Sequence, residues 1–123
     1  MTLNDVQEKT LLIAEEDDDL CNCLALFFSD KFNVKIVKNS TSIKDDLHLA
    51  DFLLIDADIV DNTGIEFLRS IKKTCPQTMV VIMQSIRTKN SEEHPLYKNY
   101  SDAIVYKPCD VNHIFQVISQ LTE

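Results

Sequence analysis

The sequence contains one glycine and three prolines in 123 residues. No Pro/Gly-rich linker, repeat or low-complexity segment divides it. The length therefore reads as one domain, 1–123, with a core at about 9–121. Hydrophobic residues make up 45%, too many for a disordered tail. No apolar run approaches the roughly 18–20 residues of a membrane helix. Met1 to Thr10 lacks a basic stretch followed by an apolar one, so no signal peptide is expected and the expected location is cytoplasmic. Positive charge is scarce: 12 basic against 20 acidic side chains, a net charge of −8. Phosphate backbones and anionic membrane surfaces would be repelled, which argues against nucleic-acid and membrane binding. Cys21, Cys23, Cys75 and Cys109 are scattered, with no CxxC pair. On a helix, Cys21 and Cys23 would point about 200° apart and could not share a metal. Four reduced thiols are expected. His48, His94 and His113 are isolated and read as surface or satisfied residues.

What is present is a regular alternation. Leu11-Leu12-Ile13-Ala14, Phe52-Leu53-Leu54-Ile55, Met79 to Met83 and Ala103 to Tyr106 are short apolar runs. Continuous runs of this length suit strands covered on both faces. Val34 and Ile36 alternate with polar residues, as in a half-exposed strand. Between the runs lie helical stripes: Leu20, Leu24, Phe27 and Phe28; Ile65, Leu68 and Ile71; Val111, Ile114, Phe115, Ile118 and Leu121. Asp17 or Asp18 can cap the first helix and Asp110 the last. Segments 41–49 and 88–99 are weaker, and Pro95 shortens any helix in the second. The pattern is (βα)5, a five-stranded parallel sheet with helices on both faces.

In such a sheet, function gathers beyond the carboxyl ends of the strands. The first run is followed by Glu15-Glu16-Asp17-Asp18-Asp19, the third by Asp56, the fourth by Gln84-Ser85 and the fifth by Lys107-Pro108. Nothing notable follows the second. In strand order 2-1-3-4-5 these four ends are neighbours. Carboxylates held together invite a hard divalent cation, and Mg²⁺ keeps waters and recruits phosphoryl oxygens. A cation and a lysine neutralise a transferred phosphoryl group. An aspartate can accept it as an acyl phosphate, and a serine hydroxyl can bind one of its oxygens. Each piece alone has a bland reading as a solvated helix start, a turn acid or a loop hydroxyl. Their conjunction at four strand ends is the signal.

These residues resemble a response-regulator receiver domain, the chemotaxis-regulator-like module of two-component signalling. The resemblance rests on Ile13-Ala14-Glu15-Glu16-Asp17, Leu54-Ile55-Asp56 with Gly64 eight residues on, Ile82-Met83-Gln84-Ser85, and Val105-Tyr106-Lys107-Pro108. It implies a flavodoxin-like fold with Asp56 as phosphoacceptor, Ser85 as switch hydroxyl and Lys107 as ion-pair lysine. Mg²⁺ would be held by Glu16, Asp56 and the Asp58 carbonyl, with Glu15 assisting. The implied donor is a phosphohistidine on a histidine kinase or phosphotransfer protein. The implied output is a conformational change at about 88–121, where Tyr97, Tyr100, Tyr106 and Phe115 are candidates for a surface that meets a downstream protein. The family also admits a homodimer through that face. Gly64 suggests a tight loop or close backbone approach. The sequence departs from the family at Glu15-Glu16, where aspartate is commoner, and at Val60, Ile86 and Ile104, where proline, a small residue and an aromatic are usual. Asp58 and Arg87 are expected to pair across the pocket mouth.

Two other readings compete. Asp56-Ala57-Asp58-Ile59-Val60 matches the DxDx(T/V) motif of haloacid-dehalogenase-like phosphatases, with Asp56 as nucleophile and Asp58 as acid/base. Against it, a strand and an acid cluster precede the motif and no room is left for a cap domain. The second is a receiver-like binding module that works without phosphorylation, whose support is the list of departures above; the reading adopted is the phosphoacceptor. A flavin binder would need a hydroxyl-rich first loop, and five acids stand there.

Overall fold

In the computed structural model, five parallel strands form one sheet in the order β2-β1-β3-β4-β5. They are β1 (Thr10–Ala14), β2 (Asn33–Val37), β3 (Phe52–Asp56), β4 (Met79–Ser85) and β5 (Ala103–Lys107). The helices are α1 (Asp18–Phe28), α2 (Ser40–Asp46), α3 (Ala57–Thr63), α4 (Ile65–Thr74), α5 (His94–Asn99) and α6 (Val111–Leu121), with a 3₁₀ turn at Leu47–Leu49. The structure describes residues 9–85, 94–107 and 110–121, and only the backbone of Asn62, Ser85, His94, Pro95 and Leu96. Ile86, Arg87, Pro108 and Cys109 lie outside the described residues, as does the Ser85 side chain. Among the described residues, no helix is long and apolar enough to cross a membrane.

β3 is buried throughout, and its alternation divides the core in two. Leu53 and Ile55 join Leu12, Val80 and Ile82 beneath Ile43 of α2, Leu68 and Ile71 of α4, and Tyr97 of α5. Phe52 and Leu54 join Leu11, Ile13 and Val81 beneath Leu24 and Phe28 of α1 and Ile114 and Ile118 of α6. β2 is the half-exposed edge that its alternation predicts. The expected fold class is the one observed.

Acidic side chains pin the amino ends of the strands. Thr10 N–H donates to Asp51 Oδ2 at 2.8 Å. Val80 N–H donates to Asp102 Oδ2 at 2.7 Å, which Lys72 also meets at 2.8 Å.

Two local expectations change. A helix not foreseen in the sequence, α3, begins directly after Asp56 and precedes the one that carries the Ile65, Leu68 and Ile71 stripe. Asp56 caps α3 by accepting the Asp58 N–H, and Ile59 and Val60 are buried. Gly64, at φ 91° and ψ 158°, then separates α3 from α4. A Cβ there would meet nothing within 4 Å, so the glycine serves a tight backbone turn and not a close approach. Tyr97 is 3% exposed and belongs to the core, so it cannot contribute to a surface. Tyr100 and Tyr106 are half-buried, and Phe115 packs edge-on against Phe27 and Phe32.

Candidate functional site

The register sets the site. Ala14 pairs with Ile55, Asp56 with Met83 and Ser85 with Lys107. Glu15, Asp56, the Ser85 backbone and Lys107 therefore meet at one end of the sheet. Asp56 is the last residue of a wholly buried strand, and its carboxyl stays buried with it at 5% exposure. Glu15 is 3% exposed. Buried carboxylates need partners. Lys107 Nζ supplies one to each, at 2.5 Å from Asp56 Oδ1 and 3.0 Å from Glu15 Oε2. The remaining oxygens accept backbone N–H groups. Asp58 donates to Asp56 Oδ2 at 3.1 Å and Asp17 to Glu15 Oε1 at 3.1 Å. Both carboxylates are thus fixed in orientation. Burial works against the Lys107 charge, but the hydrogen bonds and charges of Asp56 and Glu15 outweigh it and raise its pKa.

The acidic run after β1 divides by position. Glu15 points inward, while Glu16, Asp17, Asp18 and Asp19 are exposed. Asp17 caps α1 by accepting the Leu20 N–H at 3.2 Å. Asp18 pairs with Lys38 at 2.5 Å, and that hydrogen bond holds its carboxyl below the usual range. Lys38 also lies 3.4 Å from Cys21 Sγ, and that thiol donates to the Glu15 carbonyl at 3.1 Å. The end of β2 is therefore not featureless. Lys38 braces the loop that carries Glu15, and its only signal in the sequence is its place one residue beyond a strand.

The Asp58 side chain is exposed and its backbone lies in the first turn of α3. Helical carbonyls point toward the carboxyl end of their helix. Arg87, its expected partner, lies outside the described residues. Among the described residues, no three His, Cys, Asp or Glu side chains converge to hold a metal. Two buried carboxylates with an exposed third beside them still fit Mg²⁺, which takes one or two carboxylates and completes its shell with water and phosphoryl oxygens. Ile104 pairs with Ile82 and packs half-buried against the core. An aliphatic side chain thus occupies the place where the resemblance leads one to expect an aromatic.

The comparisons agree with this fold. The family profile described as "Response regulator receiver domain" matches residues 11–119. No curated protein matches the sequence. Among solved structures, the receiver domain of the TMAO respiratory system response regulator TorR superposes with a TM-score of 0.81 at 14% identity, covering 94% of this chain and 97% of that one. A CheY-like response regulator receiver domain protein from Methanospirillum hungatei gives 0.80 at 19% identity, covering 92% of each chain. NtrX from Brucella abortus, crystallised with ADP, gives 0.77 at 16% identity over 90% of this chain, which spans only 25% of NtrX. At these identities the structures speak for the fold, and the profile match over most of the chain speaks for the family: this chain belongs to the response-regulator receiver domains of two-component signalling.

Proposed function

We propose that the domain accepts a phosphoryl group on Asp56 from a phosphohistidine of a histidine kinase or phosphotransfer protein. The observation that carries this reading is the buried Asp56 carboxylate, held at a strand end by Lys107. In the transfer, an Asp56 carboxylate oxygen bonds to phosphorus as the histidine N–P bond breaks, and the imidazole leaves with the electron pair of that bond. Among the described residues, the carboxylates of Glu15 and Asp56 share the single charge of Lys107, one positive against two negative. That balance suits a divalent cation at Asp56, with Glu15 and Glu16 as further ligands. Mg²⁺, when bound, would neutralise phosphoryl oxygens during transfer. Lys107 stays beside the modified carboxyl and neutralises charge there. Ser85, next to Lys107 in the sheet register, is the proposed switch hydroxyl.

β5 ends in Lys107, and α5 and α6 flank it. A new set of contacts at Lys107 would bias the arrangement of the 88–121 face toward one of two states. That face is the proposed site for a downstream protein. The receiver family is one of signalling domains, so the phosphatase reading of Asp56 and Asp58 has no further support. The reading without phosphorylation keeps one observation in its favour: both Asp56 oxygens are already engaged.

The test is intact mass after incubation with acetyl phosphate, with Mg²⁺ and with EDTA. One phosphate adduct is expected with Mg²⁺, and none with EDTA or in Asp56→Asn. Glu16→Gln should slow adduct formation. No adduct from acetyl phosphate or from a phosphohistidine donor, in a folded protein, would leave the phosphorylation-independent module as the better account.

A further inference from the structure

A cavity lies away from the Asp56 site, between α2 with its 3₁₀ turn and α4. Its volume is about 350 Å³, within the range of about 300–1,000 Å³ typical of small-molecule sites. Leu47, Ile71 and Cys75 form an apolar floor, each buried in the core. Lys44 and His48, both exposed, stand on the α2 side, and the hydroxyls of Ser70 and Thr74 on the α4 side. The Lys44 ammonium reaches across toward α4, 5.8 Å from the centre of the Phe67 ring. Ser70 donates its proton to the Phe67 carbonyl at 2.7 Å, so the positive polar groups at the cavity are those of Lys44 and His48 on the α2 side. Among the described residues, none lining the cavity is acidic, although the chain carries 20 acids against 12 bases. No residue of the Asp56 site lines it.

We infer that this cavity binds a small organic anion with an apolar body. The floor takes the body by excluding water from apolar surface. Lys44 and His48 face the charge, in a molecule whose surface otherwise repels anions. A neutral ligand of the same shape gains only the first of these. The inference is independent of phosphorylation at Asp56.

The probes are hexanoate and hexanamide, which share a shape and differ in charge, followed by backbone amide chemical shifts in the full chain. Hexanoate should give saturable shifts grouped at 44–48 and 70–75, at millimolar concentration, the scale of a ligand of about eight heavy atoms. Hexanamide should bind about tenfold more weakly, as should hexanoate to Lys44→Glu, a difference of one decade in affinity. Lys44→Arg should retain binding. Lys44 is exposed, so these variants should keep the wild-type spectrum elsewhere. Three results would overturn the inference: no saturable shifts in these segments, equal affinity for hexanamide, or unchanged hexanoate affinity in Lys44→Glu.

Discussion

Among the described residues, one lysine charge faces two buried carboxylates at the end of the sheet, and that imbalance decides how the three residues respond to substitution. Replacing Lys107 by methionine removes the one side-chain cation that meets Glu15 and Asp56 among the described residues and leaves two like charges together. The expected loss of stability in urea denaturation is about 1–3 kcal/mol, below the figure for a fully buried pair because Lys107 is partly exposed. Replacing Asp56 by asparagine instead leaves Lys107 and Glu15 as a balanced pair. That variant should unfold within about 1 kcal/mol of wild type or at higher urea. If Asp56→Asn is the more damaging change, the charge balance described here is wrong. The pH dependence has a definite sign. The Lys107 pKa is raised in the fold above its unfolded value of about 10.4. Its stabilisation is complete below that value and is lost as pH climbs through the higher folded pKa. The stability gap between wild type and Lys107→Met should stay constant from pH 7 to about 10 and shrink above that. A gap that narrows near neutrality would contradict the assignment.

Two backbone positions carry the elements that present the site. Gly64 sits at φ 91° and ψ 158°, a region open essentially to glycine alone, and a side chain there costs of order 1–3 kcal/mol. Gly64→Ala should destabilise by about that amount although the space around it is open, because the strain is in the backbone. Thermal unfolding checks this, and an unchanged midpoint would refute it. Asp102 holds the start of β4 through the Val80 N–H and also meets Lys72. Asp102→Ala should cost about 1–3 kcal/mol, the penalty for orphaning a part-buried donor, and should raise amide exchange at Val80. The strands were legible because each buried run is continuous and β2 alternates. α1, α4 and α6 were legible because their apolar residues recur at helical spacing. α3 was not, since its buried Ile59 and Val60 are adjacent rather than spaced by a turn, and its cap is the side chain of Asp56 itself. Glu15, Asp56 and Lys107 were legible as strand-end residues. Which of Glu15 and Glu16 turns inward was not, because one position beyond a strand decides it. Tyr97 read as surface because α5 is too short to show a stripe.

At the scale of the molecule, the site is rigid because it stands on β1, β3 and β5 of one sheet with a core on each face. Helices α1 and α6 cover one side and α2 to α5 the other. The proposed acceptor side chain, Asp56, therefore comes from the central strand and its lysine from the edge strand β5. Like β2, β5 has a neighbour on one side only, so it is held less firmly than the three strands between them. In the proposed function, a change in what Lys107 contacts would pass into β5 and the helices on either side of it. That links the proposed chemistry at Asp56 to the proposed output at 88–121. Ile104, in the middle of β5, packs on Ile82 and the core without an aromatic ring. The proposed coupling through this strand therefore has no aromatic ring at 104 to turn in or out.

The central claim is that Asp56 is the atom-level acceptor. Borohydride reduces an acyl phosphate to an alcohol, so an aspartyl phosphate becomes homoserine at the modified position. The decisive measurement is peptide mass spectrometry after incubation with a phosphohistidine donor and Mg²⁺, followed by reduction. The account predicts homoserine at position 56 and at no other aspartate, and none when the donor is left out. Homoserine at another aspartate, or none at all from a donor that phosphorylates a second receiver in the same tube, would contradict it.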